Sequence, residues 1–341
     1  MSFIFYTLFL IVLAIALNYI FKKNGILISD TGDAHQKYTS SSKVPLTGGI
    51  IIFFGLIYFF GNDKILIYLF FTLILIVGIF SDLKILTSAS LRFLIQIIIV
   101  LLFVILHDLK IFDTRVIILN KLLDNIYFNY IFVTFCILIV INGSNFIDGL
   151  NTLNIGYYIL IFVVLIFLRN NGDILYSNNI TNYYLVFLCV IFVLNILNHL
   201  YLGDSGSYLL GFLFSVILIE TYNLNNNLSP FFIILLLWYP CYETLFSIIR
   251  KNVVKKSPME PDTNHLHQLI FYYLIERYKM QKFISNLITS NIINLYNLFI
   301  FLVAVTNSSS TQTQIILILL NLFVYSYIYF KIYYYKIKKI S

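Results

Sequence analysis

Apolar runs of roughly bilayer length, recurring eleven times and separated by short polar breaks, constrain this chain more than any other feature. They fall at about 3–21, 45–60, 64–80, 91–107, 126–142, 155–168, 183–198, 208–222, 230–249, 283–305 and 315–332. A helix needs roughly 20 residues to cross the hydrocarbon core, and lipid satisfies no backbone group outside a helix or a closed barrel. The runs are continuous and do not alternate, which excludes a barrel. The expected fold is all-α: one polytopic transmembrane helical bundle over residues 1–341 with about eleven spans. Of the 341 residues, 60% are apolar and 11% charged. Soluble domains carry about 45–50% and 25%, so a water-soluble enzyme is excluded. Cys136, Cys189 and Cys241 sit inside apolar runs without metal or redox spacing and read as packing residues.

Basic residues orient the bundle. The first run lacks a basic leader and a small-residue cleavage site and is followed by Lys22 and Lys23, so it reads as a retained anchor that starts outside. Alternation from there puts seventeen Lys and Arg on one side and five on the other. That excess marks the cytoplasmic side and places the C-terminus inside, as in a multi-pass protein of the bacterial inner membrane. The net charge of +7 is explained by these loops and needs no nucleic-acid partner.

Five polar words interrupt the apolar pattern, all on the side marked as cytoplasmic. Val44-Pro45-Leu46-Thr47-Gly48-Gly49 opens the second run, and its glycines allow close approach of packed backbone or of a ligand. Gly78-Ile79-Phe80-Ser81-Asp82 ends the third, where a carboxylate opposes the helix dipole; it has another partner there, or it marks a solvated turn. In Asn142-Gly143-Ser144-Asn145-Phe146-Ile147-Asp148-Gly149-Leu150-Asn151, steps of three and six put Asn142, Asn145, Asp148 and Asn151 on one face if the helix continues. Such a stripe suits a hard cation or a polar ligand better than lipid. Leu202-Gly203-Asp204-Ser205-Gly206-Ser207 runs straight into an apolar helix, and the free N–H groups of a first turn form an anion or metal cradle. The fifth word, Pro258 to His267, holds Asp262, His265 and His267. A spacing of two makes no helical zinc pair, whereas phosphate hydrogen bonding and a plain surface pair both fit it. Residues 266–278 read as a short amphipathic helix at the membrane surface. One site at the cytoplasmic face accounts for the five words together.

At these words the sequence resembles the polyprenyl-phosphate N-acetylhexosamine-1-phosphate transferases, relatives of the phospho-MurNAc-pentapeptide transferase. The resemblance runs from about Asp30 to His267 and is most specific at Asn145 to Leu150 and Leu202 to Ser207. It implies transfer of a sugar 1-phosphate from a UDP-sugar to polyprenyl (undecaprenyl) phosphate, giving a lipid-linked sugar diphosphate and UMP. It also implies a requirement for Mg²⁺, with Mn²⁺ as its substitute, and a start to a lipid-linked cell-envelope glycan. Carried over by position, Asp204 becomes the Mg²⁺ ligand, Asp148 its neighbour and second ligand, and Asp82 an orienting acid. Asn145 supports that stripe, Gly149, Leu150 and Asn151 resemble part of a uridine pocket, and Tyr201 stands where the family has a ring for uracil. His265 and His267 match the histidines that face the diphosphate, and Lys37 is the nearest equivalent of a basic position. The chain departs from the family at Ser81, where relatives carry a second acid, and at Thr263, where they carry Arg.

Two other classes share the composition. A transporter or flippase would place charges at the midplane and show inverted repeats, neither of which is visible. A catalytically inactive relative stays open because of Ser81. The sequence sets neither the sugar nor the oligomeric state, so a homodimer is open as well.

Overall fold

The computed structural model describes residues 3–29, 43–57, 65–172, 178–255, 257 and 263–340. Among them lie fourteen helices and no strand. They are α1 (Phe3–Asn24), α2 (Gly48–Ile57), α3 (Ile65–Asp82), α4 (Ala89–Leu106), α5 (Ile117–Leu123), α6 (Ile126–Ile147) and α7 (Leu153–Asn170). The second half holds α8 (Asn178–Ile196), α9 (Gly203–Leu224), α10 (Pro230–Leu236), α11 (Trp238–Val253), α12 (Leu266–Tyr278), α13 (Lys282–Val305) and α14 (Thr311–Ile340). Every expected apolar run is occupied by a helix or, at 230–249, by a pair. Eight helices among the described residues are long and apolar enough to cross a membrane, and up to nine if the bent pair counts as one span. The chain is a polytopic helical membrane protein.

Local chemistry sets several of these boundaries. Ser88 accepts the N–H of Leu91 at the start of α4, and Asn125 accepts those of Tyr127 and Phe128 at the start of α6. Ser229 followed by Pro230 opens α10. The run at 230–249 is not one straight helix: α10 and α11 meet at 74°. Pro240 is the cause, because it has no N–H for the Leu236 carbonyl and its ring crowds that carbonyl. The Tyr157 hydroxyl repairs the break, donating to Leu236 O at 2.9 Å and accepting from the N–H of Tyr239 at 3.4 Å.

Helix α9 is the axis of the bundle, with 78% of its span buried against 22% for α14. It packs on α2, α3, α6 and α7. Small residues permit this: a Cβ on Gly78 of α3 would stand 2.2 Å from the Ser205 Cα, and one on Gly49 of α2 2.6 Å from the Ser205 carbonyl carbon. The first turn of α9 is thus clasped between two helices. Outward faces carry large exposed apolar side chains such as Phe5, Ile131, Leu295 and Phe323, a surface that lipid tolerates and water does not.

Candidate functional site

The polar words of the sequence meet at the end of the bundle where α3 and α6 finish and α9 begins. Asp82, the last residue of α3, accepts the backbone N–H groups of Asp204 at 2.8 Å and Ser205 at 3.1 Å. A carboxylate unfavourable at its own helix C-terminus is therefore held by the N-terminus of another. The anion in the expected cradle is Asp82 itself. Gly203 makes room for it, since a Cβ there would lie 2.7 Å from an Asp82 oxygen, and Gly203 adopts φ +68°.

Asp204 projects from the first turn of α9. Its Oδ2 accepts from Arg92 of α4 at 2.8 Å, from the Ser81 hydroxyl and, at 3.4 Å, from Tyr208. Arg92 also donates to Ser81. The second oxygen of Asp204 has no hydrogen-bond partner among the described residues, and the side chain is 24% exposed. Asp148, capping the end of α6, lies near enough to Asp204 and Asp82 to interact with both charges. Burial pushes its carboxyl well above the usual carboxylate range, and Asp204 and Asp82 push the same way, against hydrogen bonds from Ser207 and Asn154.

Among the described residues, no group of three or more His, Cys, Asp or Glu could hold a metal ion alone. Mg²⁺ commonly takes one or two carboxylates and completes its shell with phosphate and water. The donor set fits that habit: Asp204 keeps an oxygen open, and Asp148 is a partly buried acid beside two others, a charge excess that a divalent cation relieves. Asp82 is not part of this set, because both its oxygens are bound to backbone.

The histidine word lies beside Asp148. His267 of α12 is 0% exposed, neither ring nitrogen has a partner, and a Cβ on Gly149 would stand 2.5 Å from its Nε2. Gly149 therefore admits an imidazole. Burial pulls His267 down to about 3, with His265 acting in the same direction. The two rings stack at 5.7 Å and 10° although their spacing denies them a common helical face, because His265 precedes α12 in extended conformation.

Other expected positions fall elsewhere. The stripe Asn142, Asn145, Asp148, Asn151 is not continuous: α6 stops at Ile147, and the turn that follows, with Thr152 at φ +66°, carries Asn151 away. Asn151 instead bonds the Asn198 side chain at 2.7 Å and the Asn195 carbonyl at 3.3 Å, while its backbone meets Asn286 and Ser290. Asn142 bonds Gln96 at 3.2 Å, and Asn145 stays partly buried on α6. Leu150 is 3% exposed, a core residue. Tyr201 is 9% exposed, its ring packed with Leu27, Val44 and Leu46 and its hydroxyl bonded to Asn198 at 3.1 Å. Lys37 and Asp262 lie outside the described residues.

Two charged side chains of the site received no role from the sequence. Arg92 stands near the N-terminus of α4, where a cation opposes the dipole, and that misplacement was its signal. Glu243 lies inside an apolar run, which is the stronger signal.

The family model described as Glycosyl transferase family 4 matches residues 64–222, the stretch that contributes Arg92, the three Asp and the glycines around them. No curated protein matches the chain. The matched segment carries the three convergent carboxylates of α3, α6 and α9, and over residues 64–222 the chain is similar to glycosyl transferase family 4.

Proposed function

We propose that this protein transfers an N-acetylhexosamine 1-phosphate from a UDP-sugar to undecaprenyl phosphate on the cytoplasmic face of a bacterial inner membrane. The products are undecaprenyl-diphospho-sugar and UMP, the first lipid-linked intermediate of an envelope glycan. The observation that carries this reading is the meeting of Asp82, Asp148 and Asp204 from three helices beside Arg92 and two histidines.

Phosphoryl transfer depends mainly on positioning and charge neutralisation. A phosphate monoester with a second pKa near 6 is mostly a dianion at neutral pH, so the lipid phosphate attacks the sugar-bearing phosphorus without a strong base. Mg²⁺, or Mn²⁺ in its place, held by Asp204 and Asp148 would supply neutralisation of the phosphate oxygens. Asp82 fixes the first turn of α9 and with it the direction of Asp204. Arg92, on Oδ2 of Asp204, is placed to balance charge as anionic reactants enter. Ser81 only hydrogen bonds.

Membranes containing the protein, incubated with sugar-labelled UDP-GlcNAc, undecaprenyl phosphate and Mg²⁺, should release UMP and label lipid. A panel of UDP-sugars then identifies the donor. Asp204→Asn should lower turnover about a thousandfold while the protein still inserts, and Ser81→Ala should cost less than about tenfold. Near-normal turnover by Asp204→Asn would remove the assigned role, and a captured phosphoryl-enzyme would remove the one-step scheme.

A further inference from the structure

Glu243 is a buried charge that the transfer scheme leaves without a task. It lies in the first turns of α11, with its side chain 1% exposed. A carboxylate so placed persists only where its lone pairs are occupied, and inside a membrane bundle it marks function by default. Its Oε1 meets His265 Nδ1 at 2.8 Å and accepts the N–H of Leu266 at 3.4 Å, while Oε2 accepts the Tyr325 hydroxyl at 2.8 Å. The Pro240 break aims α11 so that this residue reaches the histidine loop.

The surroundings hold the ring still. His265 packs on Phe146 at 5.2 Å and stacks on His267 at 5.7 Å. Tyr325, Tyr329 and Lys336 share a face of α14. Tyr329 accepts from Arg250 at 2.7 Å, Arg250 donates to the Asn264 carbonyl, and Lys336 donates to the Asn264 side chain at 2.7 Å. The residue before His265 is thus pinned from two helices. Of the two ring nitrogens, Nδ1 is the one on Glu243, while the backbone N–H of His265 donates to the Gln268 side chain at 3.1 Å.

We propose that Glu243, steadied by Tyr325, is a positioning residue for the transfer: it binds Nδ1–H of His265 and leaves Nε2 to meet the diphosphate of the nucleotide-sugar donor. This rests on the transfer reading above. The partner of one ring nitrogen sets which nitrogen carries the proton and how the ring is turned. With Nδ1 engaged by the carboxylate, Nε2 is the ring nitrogen left to hydrogen bond with a phosphate oxygen. The family match ends at residue 222, so this half of the site comes from helices beyond it.

The test compares full-length Glu243→Ala, Glu243→Gln and Tyr325→Phe. Glu243→Ala should raise KM for the UDP-sugar about ten- to a hundredfold with kcat changed far less, the value of one charge-assisted hydrogen bond. Glu243→Gln keeps an oxygen for Nδ1–H and should stay within about threefold of wild type, and Tyr325→Phe should cost about two- to fivefold. In protein labelled with ¹⁵N-histidine, wild type and Glu243→Gln should share an Nδ1-protonated His265, and Glu243→Ala should show mixed tautomers. An unchanged KM and tautomer in Glu243→Ala would overturn the proposal. So would equal loss in the Gln and Ala variants with the tautomer intact. If Glu243→Ala fails to fold, Tyr325→Phe and the Gln tautomer decide. Wild-type protein that releases no UMP would sink the transfer reading instead, and the tautomer measurement would still judge Glu243.

Discussion

Asp82 shows how much of a residue's role depends on a partner far along the chain. At the end of α3 its charge opposes the dipole, and the sequence states only that discomfort; the relief comes from N–H groups 122 and 123 residues away. Glu243 is the same case inside an apolar run, its meaning deferred to His265 and Tyr325. Asn151 is the reverse: its chemistry suggested a ligand stripe, and a turn at Thr152 spends it on bonds to the end of α8 and to α13. His267 yields a measurable consequence. The unfolded imidazole takes up a proton below pH about 6.5. The folded one, buried, resists until about 3. Its contribution to stability is therefore complete above pH 6.5 and is lost as the pH falls toward 3. In ligand-free protein, His267→Gln should reduce the destabilisation between pH 7 and 4.5 by roughly 2–3 kcal/mol, read from unfolding midpoints in detergent. An identical pH slope in both proteins would refute it.

Elements were legible where periodicity and breakers agree. Residues 266–278 form α12 over the range expected, and each apolar run carries a helix among its described residues. Where the expectation failed, one residue explains it: Pro240 sits within a continuous apolar run, and the 74° break follows from its missing N–H. A buried break survives only if the freed groups find partners, and α7 supplies one through Tyr157. Tyr157→Phe should therefore lower stability by about 2–4 kcal/mol, from two buried backbone groups left unpaired. A thermal midpoint equal to wild type would show that the bend needs no such repair. The polar word at 202–207 opens α9, which begins at Gly203 with an external carboxylate on its first N–H groups, as the cradle reading expected of a first turn.

At the scale of the whole molecule, the bundle presents its site at one end and its apolar side chains outward. The proposed orientation puts the C-terminal end of α14 inside and α5 outside. With the three native cysteines replaced by Ser, Lys121→Cys should react with an impermeant maleimide in intact cells, and Lys338→Cys only after permeabilisation. The opposite pattern would invert the topology and place the site outside. Hydropathy and loop charge are summed locally along the chain, and lipid reads them locally, so the sequence alone determined that this is a helical membrane protein and which polar words gather on one side. Which oxygen faces which partner was decided only by the tertiary structure. Asp82 became a cap, Asp204 kept an open oxygen and His265 acquired Glu243 through contacts between segments far apart in the chain, and no local pattern encodes the crossing of helices that brings them together.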